Sequence, residues 1–170
     1  MDRKSEEIRT IIRLNIESTL LVTHGLLPFR DHSLPFRIIN VSSLGAYFAM
    51  PIKATYAASK RFLLDFSLAL RNELRDENVT VTALCPAGLP TTPGCIEAID
   101  AQGLAGQLTT ENIGRVAHEA VEAALHGRAT VVPGFLNRAL LFLSGLLPAT
   151  NIAEIVGTRW RTAHQRREAA

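Results

Sequence analysis

Apolar residues near the start of the chain recur at helical spacing. Ile8, Ile11, Ile12, Ile16 and Thr19 share one face with Asn15, while Glu6, Glu7, Arg9 and Arg13 fall largely off it. A helix is predicted over 5–21, with Ser5, preceded by Arg3 and Lys4, as its cap. Pro28 and the polar run 30–33 make a connection. The β-branched run 37–42 then reads as a strand. After Pro51 a helical pattern free of Gly and Pro continues to about Arg75. Tyr56, Lys60, Leu63, Ser67, Leu70 and Leu74 line one of its faces; Phe62, Phe66 and Ala69 form a second apolar stripe. Two apolar faces imply cover on both sides. Asn78 ends this helix and 79–84 is a second strand. The segment 85–108, rich in Pro and Gly, reads as loop. Thr109 or Thr110 is expected to cap a helix over 111–126, closed by Gly127. A short strand follows at 129–132, then an amphipathic helix from Phe135, a turn at Pro148 and a helix to the end.

Strands separated by helices imply a parallel sheet with right-handed crossovers. The strands are nearly all apolar or β-branched, as strands buried on both faces should be. The pattern therefore predicts an α/β chain: about three parallel strands with flanking helices over 1–134, and a helical tail segment over 135–170.

Composition narrows the function classes. A hydrophobic content of 47% in 170 residues is enough for one core, and a charged fraction of 20% argues against disorder. The net charge of +2 gives no bulk electrostatic support to a nucleic-acid or anionic-membrane partner. The basic cluster Arg159, Arg161, Arg166 and Arg167 is expected to be a solvated end. Cys85 and Cys95 are too few for a disulfide framework and lack zinc-ligand spacing, so a reducing, cytoplasmic setting is expected. The opening Met-Asp-Arg-Lys-Ser-Glu-Glu has no apolar run with a small-residue cleavage site, so no secretory leader is expected there. The apolar stretch 135–148 is too short to span a bilayer.

The chemistry sits in Tyr56-Ala57-Ala58-Ser59-Lys60, which puts a phenol and an ammonium on one helix face. Bringing a phenol from ~10 to near ~7 takes about 4 kcal/mol. One ammonium at ~4 Å in an effective dielectric of ~20 supplies roughly that. The pair can therefore act as general acid and base for a carbonyl/alcohol couple. With two tyrosines and three lysines in the chain, chance gives this spacing at a rate of about 0.04, so an inert helical pair stays open on this motif alone.

Ser43 lies at the C-terminal end of a predicted strand, where open parallel sheets place ligands. Its hydroxyl can donate to a substrate carbonyl oxygen. The alternative is a turn-capping serine, a role that Ser42 fits better. Asn15, on an otherwise apolar face, requires a hydrogen-bond partner. It is either a satisfied core amide or a link in a proton relay through water to Lys60. A serine-hydrolase reading is weak, because Ser43 has no Gly-x-Ser-x-Gly elbow around it.

Asn15, Ile39-Asn40-Val41-Ser42-Ser43, Tyr56-x-x-x-Lys60 and Cys85-Pro86-Ala87-Gly88-Leu89-Pro90-Thr91 together resemble the short-chain dehydrogenase/reductases, in that family's order from about residue 5 to 135. The resemblance implies a partial doubly wound, Rossmann-like sheet and hydride transfer between NAD or NADP and a small apolar carbonyl or alcohol substrate. It makes Tyr56 the acid/base, with Lys60 lowering its pKa and holding the nicotinamide ribose. Ser43 would orient the substrate and Asn15 complete the tetrad. Pro86, Gly88, Leu89 and Thr91 would wrap the nicotinamide end. It further implies a homo-oligomer through the two long helices. One local departure is Ala87, where the family usually has Gly directly after the Pro. The segment 131–138 is similar to the C-terminal region of members acting on larger apolar carbonyl compounds.

The family's Gly-rich pyrophosphate turn is found nowhere in these 170 residues. The chain is expected to be the catalytic half alone, with an unpaired edge beside 38–41. It would be a truncated reading frame, a remnant whose edge another surface covers, or one half of a two-chain enzyme. An inactive interaction or dimerisation module is the competing reading.

Overall fold

The structure, a computed structural model, describes residues 5–168, with side chains through 166. Arg3, Lys4 and the Arg167 side chain lie outside the described residues. The first helical stretch comprises α1 (Ser5–Ile12), a π-helical turn (Arg13–Glu17) and α2 (Ser18–Leu26). Then come β1 (Phe36–Val41), a 3-10 turn (Leu44–Tyr47), α3 (Ala54–Glu73) and β2 (Val79–Leu84). The chain continues through α4 (Pro93–Asp100), α5 (Leu104–Thr109), α6 (Ile113–Leu125), β3 (Thr130–Val131), α7 (Phe135–Ser144) and α8 (Ala149–Glu168).

The sheet is three-stranded and parallel in the order β1-β2-β3, with Phe36 opposite Val79 and Ala83 opposite Thr130. α3 packs on β2, while α6 packs against all three strands. Central β2 is buried along almost its whole length, its Val81, Thr82 and Ala83 fully so. One core cluster joins Leu84, Val116, Ala120, Ala123 and Val131; another joins Ala46, Leu64, Ala83 and Cys85. Asn40 of β1 is buried and donates to Ser67 Oγ of α3 at 2.9 Å, and Ser67 donates to the Leu63 carbonyl at 2.6 Å. A buried amide and hydroxyl thus satisfy each other where the pattern showed only an apolar strand beside a helix.

Several expectations need correction. Burial on both faces holds for β2 but not for β1, whose Arg37 and Val41 are exposed, because among the described residues β1 pairs on one side only. β3 is two residues long rather than four. The 85–108 segment is not loop throughout, since it holds α4 and most of α5. Thr92 caps α4 by accepting from the Cys95 N–H at 3.3 Å, with Pro93 in the first turn. The cap of α6 is Asn112, which accepts from the Arg115 N–H at 3.1 Å; Thr110 instead donates to the Gly106 carbonyl. On α3, Phe62 and Phe66 stack at 5.9 Å and are half-buried, while Ala69 is exposed.

The tail is not a solvated end throughout. α8 returns to the α3 entrance, where Lys53 Nζ lies 3.5 Å from the Trp160 ring centroid. A Cβ on Gly157 would stand 2.8 Å from the Pro51 ring. Arg159 is half-buried and Arg166 donates to the Ala101 carbonyl at 3.3 Å.

Candidate active site

Ser43 and the 86–91 loop follow the C-terminal ends of β1 and β2, Tyr56 and Lys60 lie on the first turns of α3, and Asn15 lies in the first helical stretch. Ser42 Oγ donates to the Lys60 carbonyl at 2.6 Å, and Lys60 Nζ donates to the Val41 carbonyl at 3.0 Å. These bonds run in both directions between β1 and α3, so the helix carrying Tyr56 is fixed to the strand end carrying Ser43. Between β1 and β2, the Leu44 N–H donates to the Pro86 carbonyl at 2.8 Å, which joins the Ser43 loop to the 86–91 loop.

Ser43, not Ser42, caps the turn: its Oγ accepts from the Gly45 N–H at 3.0 Å. This reverses the sequence expectation. Ser42 points the other way, into α3, since neighbouring residues of extended backbone face opposite sides. Capping uses a lone pair of Ser43 and not its proton. The nearest acceptor for that proton, the Pro86 carbonyl, is a long 3.5 Å away.

Lys60 is half-buried, and burial pushes its ammonium below the usual lysine value. Its Nζ stands 5.9 Å from the centroid of the Tyr56 ring. The chain's other tyrosine, Tyr47, is a poorer acid/base. Burial foremost, with Cys85 beside it, pushes its phenol above the ordinary value. Cys85 is itself buried and raised by desolvation.

Asn15 sits in the π-turn between α1 and α2. A π-turn widens the helix by one residue and frequently marks a functional position. Asn15 Nδ2 donates to Ser59 Oγ at 2.9 Å, and Ser59 Oγ donates to the Tyr56 carbonyl at 2.8 Å. Ser59 was not singled out from sequence, although it lies between Tyr56 and Lys60 and three residues from the phenol, on the helix's buried side. Asn15 thus finds its partner in a side chain rather than in backbone. It also lines a groove along the outer edge of β1 together with Lys60, Ser18 and Thr19.

Pro86 is buried and Leu89 half-buried, while Thr91 is exposed with its hydroxyl 3.5 Å from Cys95 Sγ. Gly88 packs closely: an added Cβ would meet Thr110 Oγ1 at 3.1 Å and Ile99 Cγ1 at 3.2 Å. A side chain here would push α4 and α5 off the strand ends. Among the described residues no group of three or more His, Cys, Asp or Glu could hold a metal ion.

The family model described as short chain dehydrogenase matches residues 1–97, more than half of the chain. Very-long-chain 3-oxoacyl-CoA reductase of Laccaria bicolor is 39% identical over 84 residues, which are 49% of this chain and 25% of that protein. Human 17-beta-hydroxysteroid dehydrogenase type 3 is 34% identical over 86 residues, covering 51% of this chain and 28% of that one. The match therefore spans about a quarter of these relatives' length.

Among solved structures, a 7beta-hydroxysteroid dehydrogenase aligns with a TM-score of 0.78 at 21% identity, over 91% of this chain and 60% of its own. A short chain dehydrogenase from Burkholderia cenocepacia, in complex with NADP, aligns with a TM-score of 0.69 at 21% identity, over 91% and 62%. At these identities the structures speak for the fold, a Rossmann-like parallel sheet. The family match runs through the π-turn, the β1 end, α3 and the 86–91 loop, the elements that build the site. The chain belongs to the short chain dehydrogenase family.

Proposed function

We propose that this chain carries the substrate and nicotinamide side of an NAD(P)-dependent oxidoreductase site that interconverts a carbonyl and an alcohol. One observation carries the reading: the paired bonds Ser42 Oγ to Lys60 O and Lys60 Nζ to Val41 O, which lock Tyr56 and Ser43 onto one end of the sheet. Membership of an oxidoreductase family and relatives named as reductases and dehydrogenases support it.

The residues present fit the nicotinamide-ribose end of the cofactor. Lys60 is a three-donor ammonium that, among the described residues, donates one hydrogen bond, to the Val41 carbonyl, which leaves donors for ribose hydroxyls. No turn in these 170 residues has the glycine spacing that receives a pyrophosphate. The bound dinucleotide would supply or accept the hydride. In this reading Tyr56 gives the alcohol oxygen its proton in reduction and takes it back in oxidation. Ser43 Oγ–H exchanges its long contact with the Pro86 carbonyl for a hydrogen bond to the same oxygen and keeps its proton. Asn15, through Ser59, holds the turn of α3 that carries the phenol. The substrate is a small apolar carbonyl or alcohol compound.

The test is Tyr56→Phe in the active form of the protein. Turnover should fall by about two to four orders of magnitude, the range of a lost general acid/base. Cofactor affinity should stay almost unchanged, because the phenol acts on the substrate oxygen. Lys60→Ala should weaken both. Full turnover in the phenylalanine variant would remove Tyr56 from this role.

A second reading, an inactive interaction module, draws on a separate observation. The outer edge of β1 is unpaired among the described residues and is flanked by the apolar side chains Leu14, Val22 and Leu26. A calorimetric titration with NAD and NADP carried into the millimolar range separates the readings: a weak, saturable heat that Lys60→Ala removes supports the redox reading, and a module that keeps the motif only by descent gives none.

A further inference from the structure

Ile52 adopts a backbone conformation that its side chain disfavours. Its φ is 71°, in the left-handed region, where a β-branched residue is an outlier. Asn78, the other non-glycine residue with positive φ among those described, is of a type that tolerates it. The Lys53 N–H donates to the Met50 carbonyl at 3.2 Å, which closes a four-residue turn with Pro51 second and Ile52 third. Proline followed by a positive φ is the layout of a type II turn, whose third position ordinarily takes glycine. The Ile52 side chain is 37% exposed, so its burial offsets little of the cost. Strain of this kind persists only where the surroundings hold it, and it gathers at functional sites.

Helix α8 supplies the hold. A Cβ on Gly157 would stand 2.8 Å from Pro51 Cγ, so the backbone of α8 lies against the proline ring. Trp160, three residues on and on the same helix face, has Lys53 Nζ 3.5 Å from its ring centroid. One helix thus grips the residues on both sides of Ile52. At the other side of the turn, a Cβ on Gly45 would stand 2.7 Å from buried Met50 Sδ, and Gly45 donates its N–H to Ser43 Oγ. The Lys53 carbonyl in turn accepts from the Ala57 N–H at 2.9 Å, the bond that opens α3. The form of the turn therefore sets where α3 starts, and with it the place of Tyr56 relative to Ser43.

We propose that Trp160 and Gly157 are positioning residues for Tyr56: they hold the Pro51–Lys53 turn in its left-handed form and so fix the start of α3. They act through Pro51, Ile52 and Lys53, not on the substrate. The hold on the turn stands apart from the redox reading; its effect on turnover rests on that reading.

The experiment compares Trp160→Leu, Trp160→Phe, Ile52→Gly and the double variant Trp160→Leu/Ile52→Gly in the full chain. Amide exchange followed by NMR should quicken about five- to thirtyfold at Lys53 and Ala57 in Trp160→Leu, the effect of one lost cation–π contact. The β2 amides should be unchanged, and Trp160→Phe should keep most of the protection. Glycine takes a positive φ without strain, so the double variant should return to near wild-type exchange. In the active form, kcat should fall about ten- to a hundredfold in Trp160→Leu and recover in the double variant, with the cofactor dissociation constant unchanged. Should Trp160→Leu fail to fold, Lys53→Met removes the cation alone and should give the same local loss and the same rescue. Wild-type exchange at Lys53 and Ala57, a loss that Ile52→Gly does not restore, or an unchanged kcat in a variant whose turn has loosened would each overturn the proposal. The expected exchange pattern together with full turnover in Tyr56→Phe would sink the redox reading and leave the hold on the turn standing.

Discussion

Lys60 is a half-buried cation that donates to the Val41 carbonyl, and that burial makes it pH-sensitive. Its folded-state pKa lies below the ordinary 10.5 because burial penalises the charged form. Between the lowered value and 10.5 the unfolded chain binds more protons than the folded one, so this residue's contribution to stability rises with pH through that window. It is complete above 10.5 and lost as pH falls through the folded value. Thermal melts of wild type and Lys60→Met across neutral to alkaline pH should therefore show the wild type gaining on the variant as pH rises. A constant difference would mean that burial does not govern this ammonium. Asn40 tests a different cost. Asn40→Ala removes the donor to Ser67 Oγ inside the β1–α3 contact, and denaturant unfolding should register a loss of about 1–3 kcal/mol. The sequence placed Asn40 in a strand motif, but its partner lies 27 residues away. Spacing along one element cannot reveal such a pair.

Elements with strong periodicity were legible. α3 and α6 lie close to their predicted bounds, and β2 matches residue for residue, because Val79–Leu84 is an unbroken run of β-branched and apolar residues between turn signals. The π-turn was not legible: the Asn15 segment carries ordinary helical residues, and one extra residue per turn leaves no mark on an apolar stripe. α4 and α5 were hidden by glycines and prolines that serve helix starts and close packing. Gly106 illustrates the second use. A Cβ there would run into the Ile99 carbonyl and stand 2.9 Å from Gln102 Cβ, so α5 approaches α4 only because this residue is glycine. Gly106→Ala should cost about 1–3 kcal/mol, the range for overpacking. Hydrogen exchange should show the loss concentrated in 93–109, over the strand ends. Uniform loss of protection across the sheet would contradict that account.

At the scale of the molecule, the dinucleotide grip and the assembly remain proposals with direct tests. If pyrophosphate and adenosine contacts outside these 170 residues supply even about 4 kcal/mol, the dissociation constant of the 170-residue chain for NAD or NADP rises about a thousandfold, from micromolar toward millimolar. Calorimetry giving a low-micromolar constant would place the grip in residues other than those expected. The first helical stretch leaves Leu14, Leu21 and Val22 exposed, and α3 exposes Leu68 beside the half-buried Phe62 and Phe66. Burial of such surface favours association, so light scattering should give a dimer or larger species at micromolar concentration. A monomer there would argue against pairing through these helices.

Legible in the sequence were the order of the three strands and of the helices around them other than α4 and α5, the parallel sheet, the family motifs and the placement of Tyr56 and Lys60 on one helix. Each of these is written in local spacing: period two or near-continuous apolar runs in strands, 3.6 in helices, four residues between phenol and ammonium. The tertiary structure decided that Ser43 caps the turn while Ser42 donates to the Lys60 carbonyl. It also decided that Asn15 is answered by Ser59, that α8 folds back onto Lys53 and that α7 faces outward with its amide inside. Those outcomes depend on groups far apart in the chain competing for the same partners once packed. A rotation fixed by two bonds from Asn137 overrides the periodicity by which α7 would otherwise be read.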